Sequence, residues 1–104
     1  KVICLNFSKI IRNYDFIKID AEGEEAKIIK NTRHKDWNNV DIALEIGTGK
    51  NAKDIFKHLN YLGVSMYSQK KNWKKVKTIK DMPFSYKEGS LFASKRNKFE
   101  LEKI

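Results

Sequence analysis

Four carboxylates lie close together in the segment FIKIDAEGEEAKIIK, residues 16–30, although the chain as a whole is basic. They are Asp20, Glu22, Glu24 and Glu25. Carboxylates in a crevice can bind hydroxyl groups, orient an amine, hold a metal ion or act as a general base. An ionised side chain where an apolar strand ends costs desolvation free energy unless it has a partner or a task. Asp20 and Glu22 are therefore the leading candidates for chemistry.

Glu24 and Glu25 have a simpler explanation. Residues 22–32 are predicted to form a helix, and the helix dipole favours acidic side chains in the first turn. Both glutamates are therefore expected to be solvated residues of that turn. Gly23 is expected to let the chain turn tightly from strand to helix.

The predicted elements alternate between strands and helices. Strands are predicted at residues 2–5, 15–20, 40–46, 64–67 and 90–94, and helices at residues 22–32 and 52–62. Strands with apolar residues on both faces are typical of parallel sheets covered by helices. The alternation predicts an α/β fold with a mostly parallel sheet. No helix separates the last two strands, so the last strand is expected to be antiparallel.

The helix ends carry recognisable signals. Asn51 is the predicted N-cap of the second helix, with Asp54 three residues later as in a variant of the capping box. Gly63 is expected to end that helix, and Asn31 to take a left-handed conformation after the first. The stripe expected to face the core is Ala52, Ile55, Phe56, Leu59 and Leu62.

Ligands of open α/β sheets bind beyond the carboxyl ends of the strands. Asp20 is at such an end, Glu45 is near the end of the next strand, and Thr48 follows in its loop. Glu45 and Thr48 are therefore candidate substrate-binding residues in the same crevice. Clustered carboxylates suit Mg²⁺, but no histidine lies at a ligand spacing beside them, and no metal ligand is assigned.

The remaining chemically distinctive residues are interpreted as structural. His34 and His58 are expected at the surface, and Trp37 as a packing anchor. Cys4 is the single cysteine, which fits a reducing cytoplasm and a small buried residue in a strand. No apolar run reaches the length of a membrane span. The first residue is Lys1 rather than Met, which suggests a processed product or a piece of a longer protein.

The chain has 104 residues and a net charge of +9, which fit one small basic domain. A basic charge is compatible with an anionic partner such as a nucleic acid. However, 19 of the basic residues are lysine and 3 are arginine, and specific phosphate recognition relies on the planar arginine fork. A general bias of the amino-acid composition toward lysine is the favoured explanation of the net charge, and an anionic partner is the alternative.

The segment KKNWKKVKTIK, residues 70–80, places six lysines around Trp73. Lysines with an interleaved aromatic residue can bind nucleic acid through phosphate contacts and stacking. A solvated loop of a lysine-rich protein explains the same pattern. Both interpretations stay open.

The acidic segment resembles the hallmark of the FkbM-type methyltransferases, which use S-adenosylmethionine. The residues that carry the resemblance are Lys18, Ile19, Asp20, Glu22, Gly23 and Glu25, followed by Ile28 and Ile29. ALEI at 43–46, HLNYLG at 58–63 and SLFASK at 90–95 are similar to later parts of the family pattern. The resemblance covers roughly residues 2–95. Ala21 and Asn31 depart from it, where the family often has Val and Gly.

The resemblance implies the C-terminal part of a Rossmann-like class I methyltransferase sheet, mostly parallel with an antiparallel last strand. Residues 1–95 would form this half-domain, and residues 96–104 a polar tail. The complete enzyme would use S-adenosylmethionine to methylate a hydroxyl of a sugar or another small molecule. Asp20 and Glu22 would bind the acceptor or take its proton, with Glu25 as a supporting substrate-binding residue.

The family's glycine-rich cofactor loop has no counterpart in this sequence, nor has the acidic residue that holds the cofactor ribose. The chain alone is therefore expected to be inactive. Its strand at residues 15–20 would also lack the neighbour that precedes it in the family, and an unpaired apolar edge favours self-association. The alternative function is a small basic α/β module that binds nucleic acid or another anionic partner.

Overall fold

The computed structural model describes residues 16–20 and 22–95. Its strands and helices are β1 (Phe16–Ile19), α1 (Glu25–Lys30), β2 (Asp41–Glu45), α2 (Gly49–Leu62), β3 (Ser65–Ser68), β4 (Lys74–Lys75) and β5 (Ser90–Ser94). Short 3₁₀ turns lie at His34–Trp37, Gln69–Lys71, Ile79–Asp81 and Tyr86–Glu88. The predicted strand at residues 2–5, with Cys4, and the tail at residues 96–104 lie outside the described residues.

The five strands form one sheet in the order β1-β2-β5-β3-β4. β1 and β2 are parallel, whereas β5 is antiparallel to both β2 and β3, and β4 is antiparallel to β3. The antiparallel last strand is thus confirmed. The expectation of a mostly parallel sheet is wrong, because β5 lies between β2 and β3, which run in the same direction, and separates them. The protein is a small mixed α/β domain with a mostly antiparallel open sheet.

The core lies between one face of the sheet and the two helices. Alternate strand residues such as Ile19, Leu44 and Leu91 are fully buried on that face. They pack with the apolar stripe of α2, which contributes Ile55 and Leu59. The period of two in the strands and of 3.6 in the helix is what allows these residues to meet.

α1 is shorter than the helix predicted at residues 22–32. Glu22 and Gly23 have φ values of 46° and 100°, so the chain forms a turn before Glu25 instead of starting the helix. At the other end Asn31 is right-handed, with φ −84°, which corrects the expected left-handed cap. Its side-chain amide donates to the Lys27 carbonyl at 3.0 Å.

α2 begins earlier than predicted. Its N-cap is Thr48, whose Oγ1 accepts a hydrogen bond from the Asn51 backbone N–H at 3.2 Å. The predicted N-cap, Asn51, lies inside the first turn. Gly63 ends the helix in the left-handed conformation with φ 73°, as predicted.

The segment between α1 and β2 is held by Trp37, which is fully buried as predicted. Its Nε1–H donates to Thr32 Oγ1 at 3.0 Å, and that hydroxyl donates to the Ile29 carbonyl at 2.6 Å. His34 is exposed, in agreement with the sequence, whereas His58 is half-buried. The His58 Nε2 lies 2.9 Å from the Thr32 carbonyl. In the part of the chain that the structure describes, no helix has the length and apolar character that a bilayer crossing requires.

Candidate functional site

The turn after β1 presents Asp20 and Glu22 at the carboxyl end of the strand. Both residues are exposed. Glu22 has a positive φ, which is uncommon for a residue with a side chain. Gly23 follows with φ 100°, and glycine adopts this conformation without steric cost. The turn therefore holds the two leading candidates in solvent contact at the end of the sheet where α/β proteins bind ligands.

Glu25 is fully buried, although its position predicted a solvated residue. One carboxylate oxygen, Oε2, accepts the Gly23 backbone N–H at 2.8 Å. The other, Oε1, accepts the Asn51 side-chain amide at 3.2 Å. Glu24, by contrast, is exposed and pairs with Lys27 at 3.3 Å. The expectation is thus correct for Glu24 and wrong for Glu25, because the turn folds back over the Glu25 carboxylate.

Asn51 connects the acidic turn to the start of α2. Its side-chain amide donates to the Gly23 carbonyl at 3.0 Å as well as to Glu25. Its backbone N–H is the donor that Thr48 accepts. The Asn51 side chain thereby joins the N-terminus of α2 to the turn after β1, although the two segments are far apart in the sequence.

Tyr86 adds a phenol to this group. Its hydroxyl donates to Glu25 Oε2 at 3.5 Å, and its ring lies where a side chain on Gly47 would otherwise be. Partial burial raises the pKa of Tyr86 above its ordinary value, and the negative charges of Glu25, Asp20 and Glu22 raise that pKa further. The phenol is therefore protonated at neutral pH, and it lies in the field of three carboxylates.

Glu45 and Thr48 have different surroundings. The Glu45 carboxylate lies 3.9 Å from the Lys18 ammonium, on the sheet face opposite to Leu44. The Thr48 hydroxyl accepts a hydrogen bond from the Asn51 backbone N–H in the first turn of α2. Asn51 links Thr48 to Glu25, whereas the contacts of the described residues include none between Glu45 and the acidic turn. The structure therefore brings Asp20, Glu22 and Glu25 together with Tyr86, with Thr48 beside them.

Within residues 16–20 and 22–95, no three histidine, cysteine or carboxylate side chains are placed to hold one metal ion together. The groups present are two solvent-facing carboxylates, one buried carboxylate and one phenol. Such groups can hydrogen-bond a hydroxyl-bearing ligand and accept its proton.

Much of the lysine-rich segment at residues 70–80 is structured. The Lys70 ammonium lies 3.3 Å from Glu88 and 4.8 Å from the centre of the Phe84 ring. Trp73 is half-buried, with φ 64°. Lys74 and Lys75 form β4 and are exposed.

Sequence reasoning did not identify Tyr86, Gly47 or Asn51 as parts of the site. Tyr86 lies 61 residues from Glu25, and no local pattern connects the two. The sequence did give a signal for Glu25, the common partner of Tyr86 and Asn51, because the FkbM pattern has a glutamate at that position.

No protein-family model matches this chain. Comparison with curated proteins and with solved structures likewise gives no match. The function must therefore be inferred from the acidic motif and from the geometry around it.

Proposed function

We propose that this chain is the acceptor-binding half of an S-adenosylmethionine-dependent O-methyltransferase, acting on a hydroxyl of a sugar or another small molecule. One observation carries the proposal. The acidic turn lies at the carboxyl ends of parallel strands, and it is held in place by a buried carboxylate that also belongs to the motif. The antiparallel last strand, which the FkbM resemblance implies, gives further support.

S-adenosylmethionine, when bound, would supply an electrophilic methyl group whose bond to the sulfonium sulfur is exchanged for a bond to the acceptor oxygen. The carboxylate of Asp20 or Glu22 hydrogen-bonds the acceptor hydroxyl and takes its proton. The Tyr86 oxygen can accept a hydrogen bond from a second hydroxyl of the acceptor, because its own proton is donated to Glu25. Glu25 is a positioning residue, since it is buried and holds the turn. The negative charges of the acidic turn also suit a methyl donor that carries a positive sulfonium.

The chain is expected to bind S-adenosylmethionine weakly by itself, since its sequence has no glycine-rich loop for the adenosine. Calorimetric titration of the chain measures this directly. The second measurement is transfer of a labelled methyl group to a panel of sugars, by the chain alone and together with a separately expressed half-domain of an FkbM-type methyltransferase that carries the glycine-rich loop. Transfer is expected only in the combined sample.

Two variants test the roles of the carboxylates in the combined sample. Asp20→Asn or Glu22→Gln is expected to lower the rate by about 10²–10⁴-fold for whichever residue is the base. Glu24→Gln is the matched control and is expected to leave the rate unchanged. Tight cofactor binding by the chain alone would contradict the half-domain assignment. Full activity in both variants would contradict the proposed chemistry.

The second candidate function, a basic module for nucleic acid, is favoured by the exposed lysines around β4. A depression of about 410 Å³ on this surface is lined by four lysines and one aspartate, namely Lys71, Lys74, Lys75, Lys77 and Asp81. A titration with single-stranded oligonucleotides at several salt concentrations tests it. Affinity for the oligonucleotide that falls steeply with salt would favour this function over methyl transfer, provided that Lys74→Ala and Lys75→Ala reduce this salt dependence.

A further inference from the structure

A second surface feature lies away from the acidic turn, at the C-terminal ends of α1 and α2. It is a groove of about 570 Å³, which we name the basic groove. The residues that line it include Tyr61, Leu62 and His34, which we call its wall, and the basic residues Lys30, Arg33 and Lys35, which we call its rim. The volume is within the range of small-ligand sites in proteins.

The groove combines an exposed aromatic ring with an ordered wall. Tyr61 is 78% exposed, which is unusual for a large ring, and its centre lies 6.0 Å from the His34 ring. His58, also on the wall, is held at the carbonyl of Thr32. Thr32 is itself buried and bonded to the buried Trp37. The aromatic ring therefore stands beside a wall that the core holds in place.

The rim of the groove carries three positive charges. Among the described residues, the ion pairs involve Lys18, Lys27, Lys50 and Lys70; none involves Lys30, Arg33 or Lys35. Lys57 adds another cation in the adjoining depression, where Asp54 is the single carboxylate of the lining. A ligand for this groove should therefore be anionic.

We propose that the basic groove binds a free nucleoside monophosphate. The base would stack on the Tyr61 ring, because aromatic side chains bind bases through their faces. The phosphate would bind Arg33, whose planar fork can contact two phosphate oxygens, and the neighbouring lysines. The proposal is independent of methyl transfer: S-adenosylmethionine has no phosphate and a net positive charge, so it does not fit a basic rim.

The test is a calorimetric titration of the whole chain with AMP, adenosine and inorganic phosphate at low salt. AMP is expected to bind at one site, and adenosine and phosphate each at least about tenfold more weakly. Tyr61→Ala is expected to weaken AMP binding by at least about fivefold, whereas Tyr61→Phe retains the ring and the affinity. Arg33→Gln is expected to weaken AMP binding, and the matched control Lys53→Gln, on an exposed part of α2, is not.

Histidine ring signals provide the second readout, because they report the groove itself. AMP is expected to shift the NMR resonances of His34 and His58. The proposal is overturned if AMP does not bind, if adenosine binds equally well, or if Tyr61→Ala has no effect on the affinity. Binding of a single-stranded oligonucleotide without binding of AMP would also overturn it, in favour of a surface for a polymer.

Discussion

At the scale of single residues, neighbours in one acidic motif have opposite environments. Glu24 is exposed, whereas Glu25 is fully buried and accepts hydrogen bonds from Gly23, Asn51 and Tyr86. A buried carboxylate persists only when such donors replace its lost hydration. Glu25 therefore determines the shape of the turn, and the exposed Asp20 and Glu22 are left available for a ligand.

Replacing Glu25 by Gln should destabilise the protein. The amide nitrogen of Gln cannot accept hydrogen bonds, so at least one of the donors Gly23, Asn51 and Tyr86 loses its acceptor at this buried side chain. We expect a loss of about 1–3 kcal/mol in the free energy of unfolding, measured by urea denaturation. Glu24→Gln is the control and should change it by less than about 0.5 kcal/mol, because an exposed ion pair contributes little. Equal effects of the two variants would contradict the assigned role of Glu25.

Replacing Gly47 by Ala should move Tyr86 away from the carboxylates. The added methyl group would overlap the Tyr86 ring, and a partly exposed ring can swing out. The pKa of Tyr86 should then fall back toward its ordinary value of 10.0, which an NMR titration of ring-labelled tyrosine measures. Gly63→Ala is the control: its left-handed φ makes the substitution strained, but the pKa of Tyr86 should not change.

The same pKa shift has a defined consequence for stability. The folded state holds the phenolic proton of Tyr86 more tightly than the unfolded state does, because its pKa is raised on folding. The resulting stabilisation is present below the unfolded pKa, near 10.0, and is lost as the pH rises through the raised pKa. The Gly47→Ala variant should lack this part of the alkaline loss of stability.

At the scale of the elements, α2 connects the site to the core. Four residues of its predicted apolar stripe are buried and Phe56 is partly buried, and the N-cap of the helix is Thr48 instead of Asn51. Both residues are good N-caps. The structure has Thr48 in this role, while the Asn51 side-chain amide donates to Gly23 and Glu25 and so ties the first turn of α2 to the acidic turn.

Thr48→Ala should therefore destabilise the helix start, because it removes the acceptor for the Asn51 backbone N–H. The expected loss in the free energy of unfolding is about 1 kcal/mol, from thermal or urea denaturation. Thr48→Ser retains the hydroxyl and should stay close to the wild type. If Ser and Ala have the same effect at this position, the capping bond has no energetic importance.

At the scale of the whole molecule, β1 and β4 are the two edges of the sheet among the described strands. β4 has two residues, both exposed lysines, and short charged edges resist pairing with another chain. β1 has one exposed lysine, Lys18, between apolar residues. Of these two edges, β1 is the one suited to pair with a second copy.

The protein is accordingly expected to self-associate as its concentration rises. Strands pair through backbone hydrogen bonds, which salt does not screen as it screens charges. The association should therefore persist in about 1 M salt, where the Debye length is roughly 3 Å. Sedimentation at several concentrations, in low and high salt, measures it. A monomer under all conditions would rule out pairing through β1, and association only at low salt would indicate charge instead.

Local patterns in the sequence were sufficient for several features. Three of them are the strand at Ser90–Ser94, the C-cap at Gly63 and the burial of Trp37. They follow from apolar periodicity, from the conformational freedom of glycine and from the large apolar ring of tryptophan. These features depend on a few neighbouring residues. Periodicity and turn chemistry act over that same short range.

Other features were decided only by the tertiary structure. The insertion of β5 between β2 and β3 makes the sheet mostly antiparallel, and no local pattern encodes which strands pair. Glu25 is buried because Gly23, Asn51 and Tyr86 converge on it from separate parts of the chain. The sequence by itself determined which side chains could do chemistry. Long-range hydrogen bonds and strand order determined which of them hold the site together and which face the solvent, because both depend on residues that are distant along the chain.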